Sequence, residues 1–155
     1  RAATDAAIVA TPLVVGAVGG LQTANAVRTW YRTLDRPAWN PPDRVFGPVW
    51  TALYATMGVS CRLVVRSPTT RERRALALAL FATQLALNFG WSWIFFVRHA
   101  LGPAVLEILA LWVAIALTIA AFARVRGSAG ALLLPYLAWV TFASVLTVSI
   151  WRRNA

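Results

Sequence analysis

Three sets of side chains repeat at intervals of three or four residues and combine aromatic rings with a few neutral polar groups. The sets are Trp50, Tyr54 and Met57; Gln84, Asn88 and Trp91; and Tyr136, Trp139, Ala143 and Leu146. Residues spaced in this way share one face of a helix. Aromatic faces with few polar atoms suit the walls of a cavity for a hydrophobic ligand. Aromatic core packing and membrane-interface belts produce the same spacing, so spacing alone leaves both interpretations open.

A loop rich in aromatic residues and proline precedes these faces and favours the cavity interpretation. It holds Trp30, Tyr31, Pro37, Trp39, Pro41 and Pro42. Prolines fix φ and remove backbone donors, which predicts an irregular segment. Three large aromatic side chains close together suit a membrane interface or the lid of a hydrophobic site. The loop is therefore predicted to cover the entrance of a pocket.

The motifs of soluble hydrolytic and phosphoryl-transfer enzymes are missing. The chain has no glycine-rich nucleotide loop and no HExxH, and His99 is its only histidine. No metal site is predicted, because zinc needs three or four clustered ligands. Cys61 is the only cysteine, so no intrachain disulfide can form. Haem ligation by His99, Met57 or Cys61 stays open beside a loop or packing role for each.

Glu107 is the one ionisable residue inside the predicted spans described next. It lies about 10 Å into its helix, since each residue adds about 1.5 Å. A carboxylate in a membrane is a functional candidate. It is predicted either to be a structural partner of an arginine such as Arg98 or to couple proton movement.

The elements that must position these residues are predicted to be membrane-spanning helices. The chain has 155 residues, of which 59% are hydrophobic and 13% charged. Five charge-poor segments follow one another, at residues 6–27, 45–61, 75–97, 100–123 and 127–151. Each has roughly 17 to 25 residues, enough to cross about 30 Å of hydrocarbon as a helix. The prediction is an all-α, multi-pass integral membrane protein with five helices in a single domain, residues 1–155.

The net charge of +10 comes from arginines, without any lysine, and these lie in the gaps between the segments. Loop arginines at membrane ends face anionic headgroups, and no basic face interleaved with aromatic residues exists elsewhere. Lipid is therefore the expected partner, and nucleic acid is not.

Small residues also follow helical spacing in two of the segments. One contains Gly16 and Gly20; the other contains Ala75, Ala79, Ala82, Ala86 and Gly90. Small side chains let helices approach closely within a bilayer. The stripe in the third segment is predicted to form a homodimer interface, with internal packing as the alternative.

The sequence resembles the TspO/translocator protein family, also called tryptophan-rich sensory proteins or peripheral benzodiazepine receptors. The resemblance runs from about residue 30 to residue 154. Its motifs are Trp30-Tyr31 through Pro42; Gly47-Pro48-Val49-Trp50-Thr51-x-Leu53-Tyr54; Gln84-Leu85-Ala86-Leu87-Asn88-x-x-Trp91-x-x-x-Phe95-Phe96; and Pro135-Tyr136-Leu137-Ala138-Trp139-x-x-Phe142-Ala143.

The resemblance implies a five-helix bundle, usually a homodimer, whose first loop covers a pocket for porphyrins, haem, benzodiazepine-type drugs and, in some members, cholesterol. Together with the spacing, it predicts a ligand site built from Trp30, Trp39, Trp50, Tyr54, Asn88, Trp91, Trp139, Ala143 and Leu146. Where the animal cholesterol motif has tyrosine this chain has Val148, and Thr147 stands where asparagine is common, so strong sterol binding is not expected.

The leading hypothesis is a membrane receptor or binding protein for tetrapyrroles that needs no cofactor of its own, with a sensory or transport role. Arg32, Arg36 or Arg44 would meet the propionates, because arginine binds carboxylates in a bidentate manner. One alternative is an enzyme that degrades protoporphyrin IX in light, for which the resemblance points to Trp30, Trp50 and Trp139. A transporter of tetrapyrroles or sterols ranks last, since no internal repeat is seen. The arginine- and alanine-rich composition suggests a bacterial cell membrane.

Overall fold

Five long helices and two short ones make up the protein in a computed structural model that describes residues 1–155. The helices are α1 (Ala2–Arg28), α2 (Trp30–Thr33), α3 (Asp43–Arg66), α4 (Arg71–Ser92), α5 (Leu101–Val125), α6 (Gly127–Ala131) and α7 (Leu134–Asn154). A π-helical turn, Trp93–Val97, extends α4. No strand is present, so the predicted all-α class is confirmed.

Four stretches are long and apolar enough to cross a bilayer. They are Ala2–Arg28, Arg71–Val97, Leu101–Val125 and Gly127–Asn154, with mean hydropathies of 1.6, 1.3, 2.4 and 1.9. Several such helices in one short chain make this a multi-pass integral membrane protein, as predicted. Helix α3 has 24 residues, a length of about 36 Å. It is not among the four, because Arg62 and Arg66 lie in its second half and its apolar residues are interspersed with glycine, proline, threonine and tyrosine, which lowers its mean hydropathy.

The last charge-poor segment, residues 127–151, contains two helices rather than one continuous helix. The short helix α6 packs closely on α5, where a Cβ at Gly130 would lie 2.9 Å from Ala123 Cβ. Pro135 then lies in the first turn of α7, where its missing N–H is not needed. The close packing of Gly130 on α5 and the start of a new helix at Pro135 thus divide the segment.

Glycines set the contact between α1 and α3. A Cβ at Gly58 would collide with the backbone of Val9, and one at Gly16 would collide with the Tyr54 ring. By contrast, nothing lies within 4 Å of the Cβ position at Gly20. The two helices therefore touch closely near Gly58 and are further apart near Gly20, which leaves room between them at that end.

The alanine stripe of α4 faces outward. Its members Ala75, Ala79, Ala82 and Ala86 are exposed, whereas Gly90 faces α5 and a Cβ there would lie 3.2 Å from Glu107 Oε1. Helix α4 packs along α5 through its other face. Internal packing therefore does not account for the four alanines.

Candidate functional site

A cavity of about 700 Å³ lies where α1, α3, the end of α4 and α7 meet. Of its 28 lining residues, 18 are hydrophobic. The aromatic members are Tyr31, Phe46, Trp50, Tyr54, Phe89, Trp91, Phe95, Phe96, Trp139 and Phe142. This volume falls in the range of about 300–1,000 Å³ that is typical of small-molecule sites. Aromatic walls of this kind suit a flat, hydrophobic molecule.

Trp50 stands at the centre of the aromatic wall. Its ring stacks on Tyr54 with centroids 5.6 Å apart and meets the edge of Trp139 at 6.4 Å and 89°. Trp139 in turn lies 6.1 Å from Phe46 and 5.3 Å from Phe142. Edge and offset contacts of this kind are the favoured geometries of aromatic pairs. The wall is therefore packed before any ligand arrives.

A chain of buried hydrogen bonds fixes the floor of the cavity. The Tyr54 hydroxyl donates to Asn88 Oδ1, and Asn88 Nδ2 donates to the Tyr136 hydroxyl at 2.9 Å. The Tyr136 hydroxyl donates to Gln84 Oε1 at 2.8 Å. Gln84 Nε2 lies 4.0 Å from the sulfur of Met57. The chain links α3, α4 and α7, so these buried polar side chains hold three helices in register.

Two indole N–H groups in the cavity wall have no partner. Trp91 Nε1 and Trp139 Nε1 are both buried without a hydrogen-bond acceptor. Both side chains line the cavity. A buried donor without an acceptor costs free energy. These two N–H groups are closed off from the cavity as well as from solvent, although other parts of both side chains line the cavity.

The outer edge of the cavity lies between α1 and α3. Lining residues that are themselves exposed, Ala17, Gly20, Gly47 and Thr51, come from these two helices. No atom lies within 4 Å of the Cβ position at Gly47. The small side chains leave this edge open toward the surroundings of the bundle.

Two charged residues, Arg28 and Asp43, line the cavity. Asp43 is contacted by two loop arginines, Arg32 Nε at 3.3 Å and Arg36 Nη1 at 3.5 Å. Arg44 is exposed and forms no ion pair. Of the three arginines predicted to meet propionates, two are thus already engaged by a carboxylate, and Arg28 is the arginine that borders the cavity.

Tyr31 anchors the loop of residues 30–42, which is called the Trp/Pro loop below. Its hydroxyl donates to Asn40 Oδ1 at 2.7 Å, and the Arg36 guanidinium lies 4.9 Å from its ring centroid. The residue is buried, with 3% of its surface exposed. Burial raises the pKa of the Tyr31 phenol above its ordinary value, and the positive charge of Arg36 offsets part of that effect. The phenol therefore stays a neutral donor that ties the loop together.

Six of the nine residues predicted for ligand binding lie in the cavity wall: Trp50, Tyr54, Trp91, Trp139, Ala143 and Leu146. Asn88 lies beneath the wall and holds Tyr54. Trp30 lies outside it and stacks on His99, with ring centroids 4.0 Å apart. Trp39 also lies outside, with its ring edge against Phe142.

Sequence reasoning missed the contribution of α1 and of the phenylalanines. Helix α1 supplies ten lining residues, from Leu13 to Arg28. Its apolar residues surround the helix on all sides, so no periodic pattern distinguished the face that meets the cavity. The pair Gly16 and Gly20 was the one available signal. The phenylalanines follow no shared spacing, because they come from α3, α4, the π-helical turn and α7.

Glu107 has no ion pair with Arg98 or with any other residue. Both of its carboxylate oxygens are buried without a hydrogen-bond partner. Arg98 lies instead over the ring of Trp93, 5.5 Å from its centroid. The expected arginine partner is therefore not present within the chain.

Comparison with known proteins gives a consistent result. The TspO/MBR family model matches residues 8–152. The chain is 42% identical to the tryptophan-rich protein TspO of Chlorobaculum tepidum over 92% of this chain and 90% of that protein. It is 40% identical to the human translocator protein, over 81% and 75% of the two chains, and 37% identical to the tryptophan-rich sensory protein of Cereibacter sphaeroides, over 81% and 77%. The chain belongs to the TspO/MBR family of membrane proteins.

Proposed function

We propose that this protein is a membrane receptor that binds planar tetrapyrroles, of the porphyrin or haem type, in the aromatic cavity, and that benzodiazepine-type molecules bind in the same place. The observation that carries the proposal is the cavity of about 700 Å³ with ten aromatic side chains in its wall.

The edge of the cavity supports a ligand with acidic side arms. The carboxylate of Asp43 would repel a propionate, but Arg32 and Arg36 balance its charge. Arg28 borders the cavity and is exposed, so its guanidinium is free to turn toward a propionate. The face of the cavity between α1 and α3 would accordingly hold the polar edge of the macrocycle.

The proposal includes a five-span bundle in which α3 is the remaining span. Helix α3 is long enough to cross, and close packing on α1 at Gly58 keeps it within the bundle. The Trp/Pro loop would cover the cavity, since Tyr31 lies in its wall and Trp39 packs on the lining residue Phe142. A homodimer through the exposed alanines of α4 completes the proposed assembly, in a bacterial cell membrane.

A second candidate is light-dependent degradation of protoporphyrin IX, with dioxygen as the oxidant. The contact between Trp50 and Trp139, 6.4 Å between centroids in the cavity wall, favours it, because both indoles would lie against a bound porphyrin. Trp30 is the weakest of the three tryptophans proposed for this chemistry, since it lies outside the wall.

The test is a titration of the purified, detergent-solubilised protein with protoporphyrin IX. Tryptophan quenching in the dark measures binding, and porphyrin absorbance under illumination measures degradation. The variant Ala143→Phe fills the cavity, because Ala143 lines it. Its matched control is Ala138→Phe, on the same helix but exposed. We expect saturable quenching, about tenfold or more weaker binding in Ala143→Phe, and unchanged binding in Ala138→Phe.

Absence of saturable quenching, or equal weakening in the two variants, would remove the cavity from the proposal. Stable absorbance under light identifies a binding protein. Protein-dependent loss of absorbance that disappears in Trp139→Phe but persists in Trp112→Phe identifies the enzyme. Trp112 is a suitable control because it lies on α5, away from the cavity, and donates to Thr141.

A further inference from the structure

A second, smaller depression lies on the outer side of α7, separate from the aromatic cavity. It has a volume of about 460 Å³ and is lined by Trp39, Val145, Val148, Ser149, Arg152 and Arg153. These six residues define the α7 groove. None of them lines the aromatic cavity, so the groove is an independent feature.

The groove changes from apolar to cationic along a single helix face. Val145, Val148, Ser149 and Arg152 follow the helical pattern i, i+3, i+4, i+7, so they share that face over a rise of about 10 Å. Val145 is 57% exposed, although α7 is part of an apolar membrane-crossing stretch. The end of the groove at Val145 and Val148 therefore faces the lipid chains. The other end, at Arg152 and Arg153, lies at the level of the headgroups.

The opposite wall is Trp39, which the loop holds in place. Its ring edge packs on Phe142 with centroids 5.8 Å apart, while 48% of its surface stays exposed. The loop is tied to the end of α7 by two hydrogen bonds. Asp35 N donates to Asn154 Oδ1 at 3.0 Å, and Asn154 Nδ2 donates to the Asp35 carbonyl at 2.9 Å. These hydrogen bonds between the loop and α7 thus hold the groove in shape without a bound ligand.

Positive charge at the upper end is not balanced within the chain. Arg153 Nη1 lies 3.6 Å from Asp35 Oδ1, whereas Arg152 has neither an ion pair nor a hydrogen bond. An arginine at the level of the headgroups, above an apolar surface and beside a tryptophan, matches an anionic phospholipid, whose phosphate and acyl chain lie at those two depths.

We propose that the α7 groove binds one anionic phospholipid, with its phosphate on Arg152 and an acyl chain along Val145 and Val148 against Trp39. Free phosphate would leave the valines uncovered. A sterol would bring no anionic group to the arginine. The unpaired positive charge of Arg152 and the position of the valines deeper in the membrane therefore favour an anionic phospholipid over free phosphate or a sterol.

The experiment is native mass spectrometry of the full chain released from detergent micelles, with phosphatidylglycerol or phosphatidylcholine added at equal concentration. We expect one phosphatidylglycerol adduct to dominate over phosphatidylcholine. Arg152→Gln should weaken that adduct about fivefold, since one arginine near a lipid headgroup contributes about that factor. Arg124→Gln, an exposed arginine on α5 outside both cavities, should leave it unchanged.

A second variant tests the apolar half without changing charge. Val145→Trp would fill the groove, and the exposure of Val145 means that the larger side chain disturbs no core packing. We expect it to reduce the phosphatidylglycerol adduct at least as much as Arg152→Gln. Protoporphyrin IX binding in both variants should match that of the unchanged chain, which separates this site from the aromatic cavity.

Four results would overturn the proposal. They are equal binding of phosphatidylglycerol and phosphatidylcholine, equal weakening by Arg152→Gln and Arg124→Gln, full competition by inorganic phosphate, and displacement of the lipid by cholesterol. The second result would indicate only general attraction to the basic protein, and the last would indicate a sterol site.

Discussion

Replacing Tyr136 by phenylalanine tests the hydrogen-bonded floor of the cavity with little other change. The substitution removes one hydroxyl and keeps the ring, so the edge contact with Trp50, 6.3 Å between centroids, is preserved. It removes two hydrogen bonds, the one accepted from Asn88 at 2.9 Å and the one donated to Gln84 at 2.8 Å. Both partners belong to α4 and are almost completely buried. The substitution therefore leaves one polar group on each partner without the hydroxyl that it contacts.

The expected cost follows from these two bonds. Interhelical hydrogen bonds in membrane proteins contribute about 0.6 kcal/mol on average and about 1.7 kcal/mol at most. Two bonds therefore correspond to about 1–3 kcal/mol of the free energy of unfolding, and the unpaired partners favour the upper half of that range. Tyr54→Phe is the matched control, because Tyr54 donates a single bond, to Asn88. We expect it to cost about half as much.

The assay is reversible unfolding in mixed micelles with increasing sodium dodecyl sulfate, followed by far-ultraviolet circular dichroism. The reasoning requires a clear decrease in the free energy of unfolding in Tyr136→Phe and a smaller decrease in Tyr54→Phe. An unchanged free energy of unfolding in Tyr136→Phe, or a larger loss in Tyr54→Phe, would refute the conclusion that the buried hydroxyl joins α7 to α4.

Two further substitutions test helix packing and the buried carboxylate. Gly58→Ala should lower the free energy of unfolding by about 1–3 kcal/mol, because the added methyl meets the rigid backbone at Val9. Gly20→Ala should change the free energy of unfolding little, since its Cβ position is open. Equal effects of the two substitutions in the same unfolding assay would contradict this account of the α1–α3 contact. Glu107→Gln should raise the free energy of unfolding by about 1–2 kcal/mol, because the two buried oxygens have no partner and glutamine removes the charge. A loss of stability in Glu107→Gln would instead reveal a partner of that carboxylate.

Much of the architecture followed from the sequence because a bilayer imposes simple rules. Long stretches without charge must be helical, since only a helix satisfies its own backbone hydrogen bonds in lipid. Family membership followed from the motifs around Trp50, Asn88 and Trp139, and the comparisons confirm it. The division of residues 127–151 into α6 and α7 did not follow, because it depends on how closely Gly130 approaches α5.

The candidate site was predictable in part. Helical spacing predicted the faces of α3, α4 and α7 because those faces differ in character from the rest of each helix. It gave no information about α1, which is apolar on every side. Spacing also did not separate residues in the cavity wall from residues beneath it, such as Asn88, since both lie on the same helix face.

The sequence by itself determined that this protein lies in a lipid bilayer, that it is helical, which family it belongs to and which side chains can form an aromatic site. These properties depend on composition and on local periodicity, which a linear chain carries. Only the tertiary structure decided that Asp43 engages Arg32 and Arg36, that Trp39 faces the α7 groove while Trp50 faces the cavity, and that Glu107 has no partner. Such properties depend on which residues meet across helices, and that is set by close contacts such as Gly58 on Val9 rather than by any pattern along the chain.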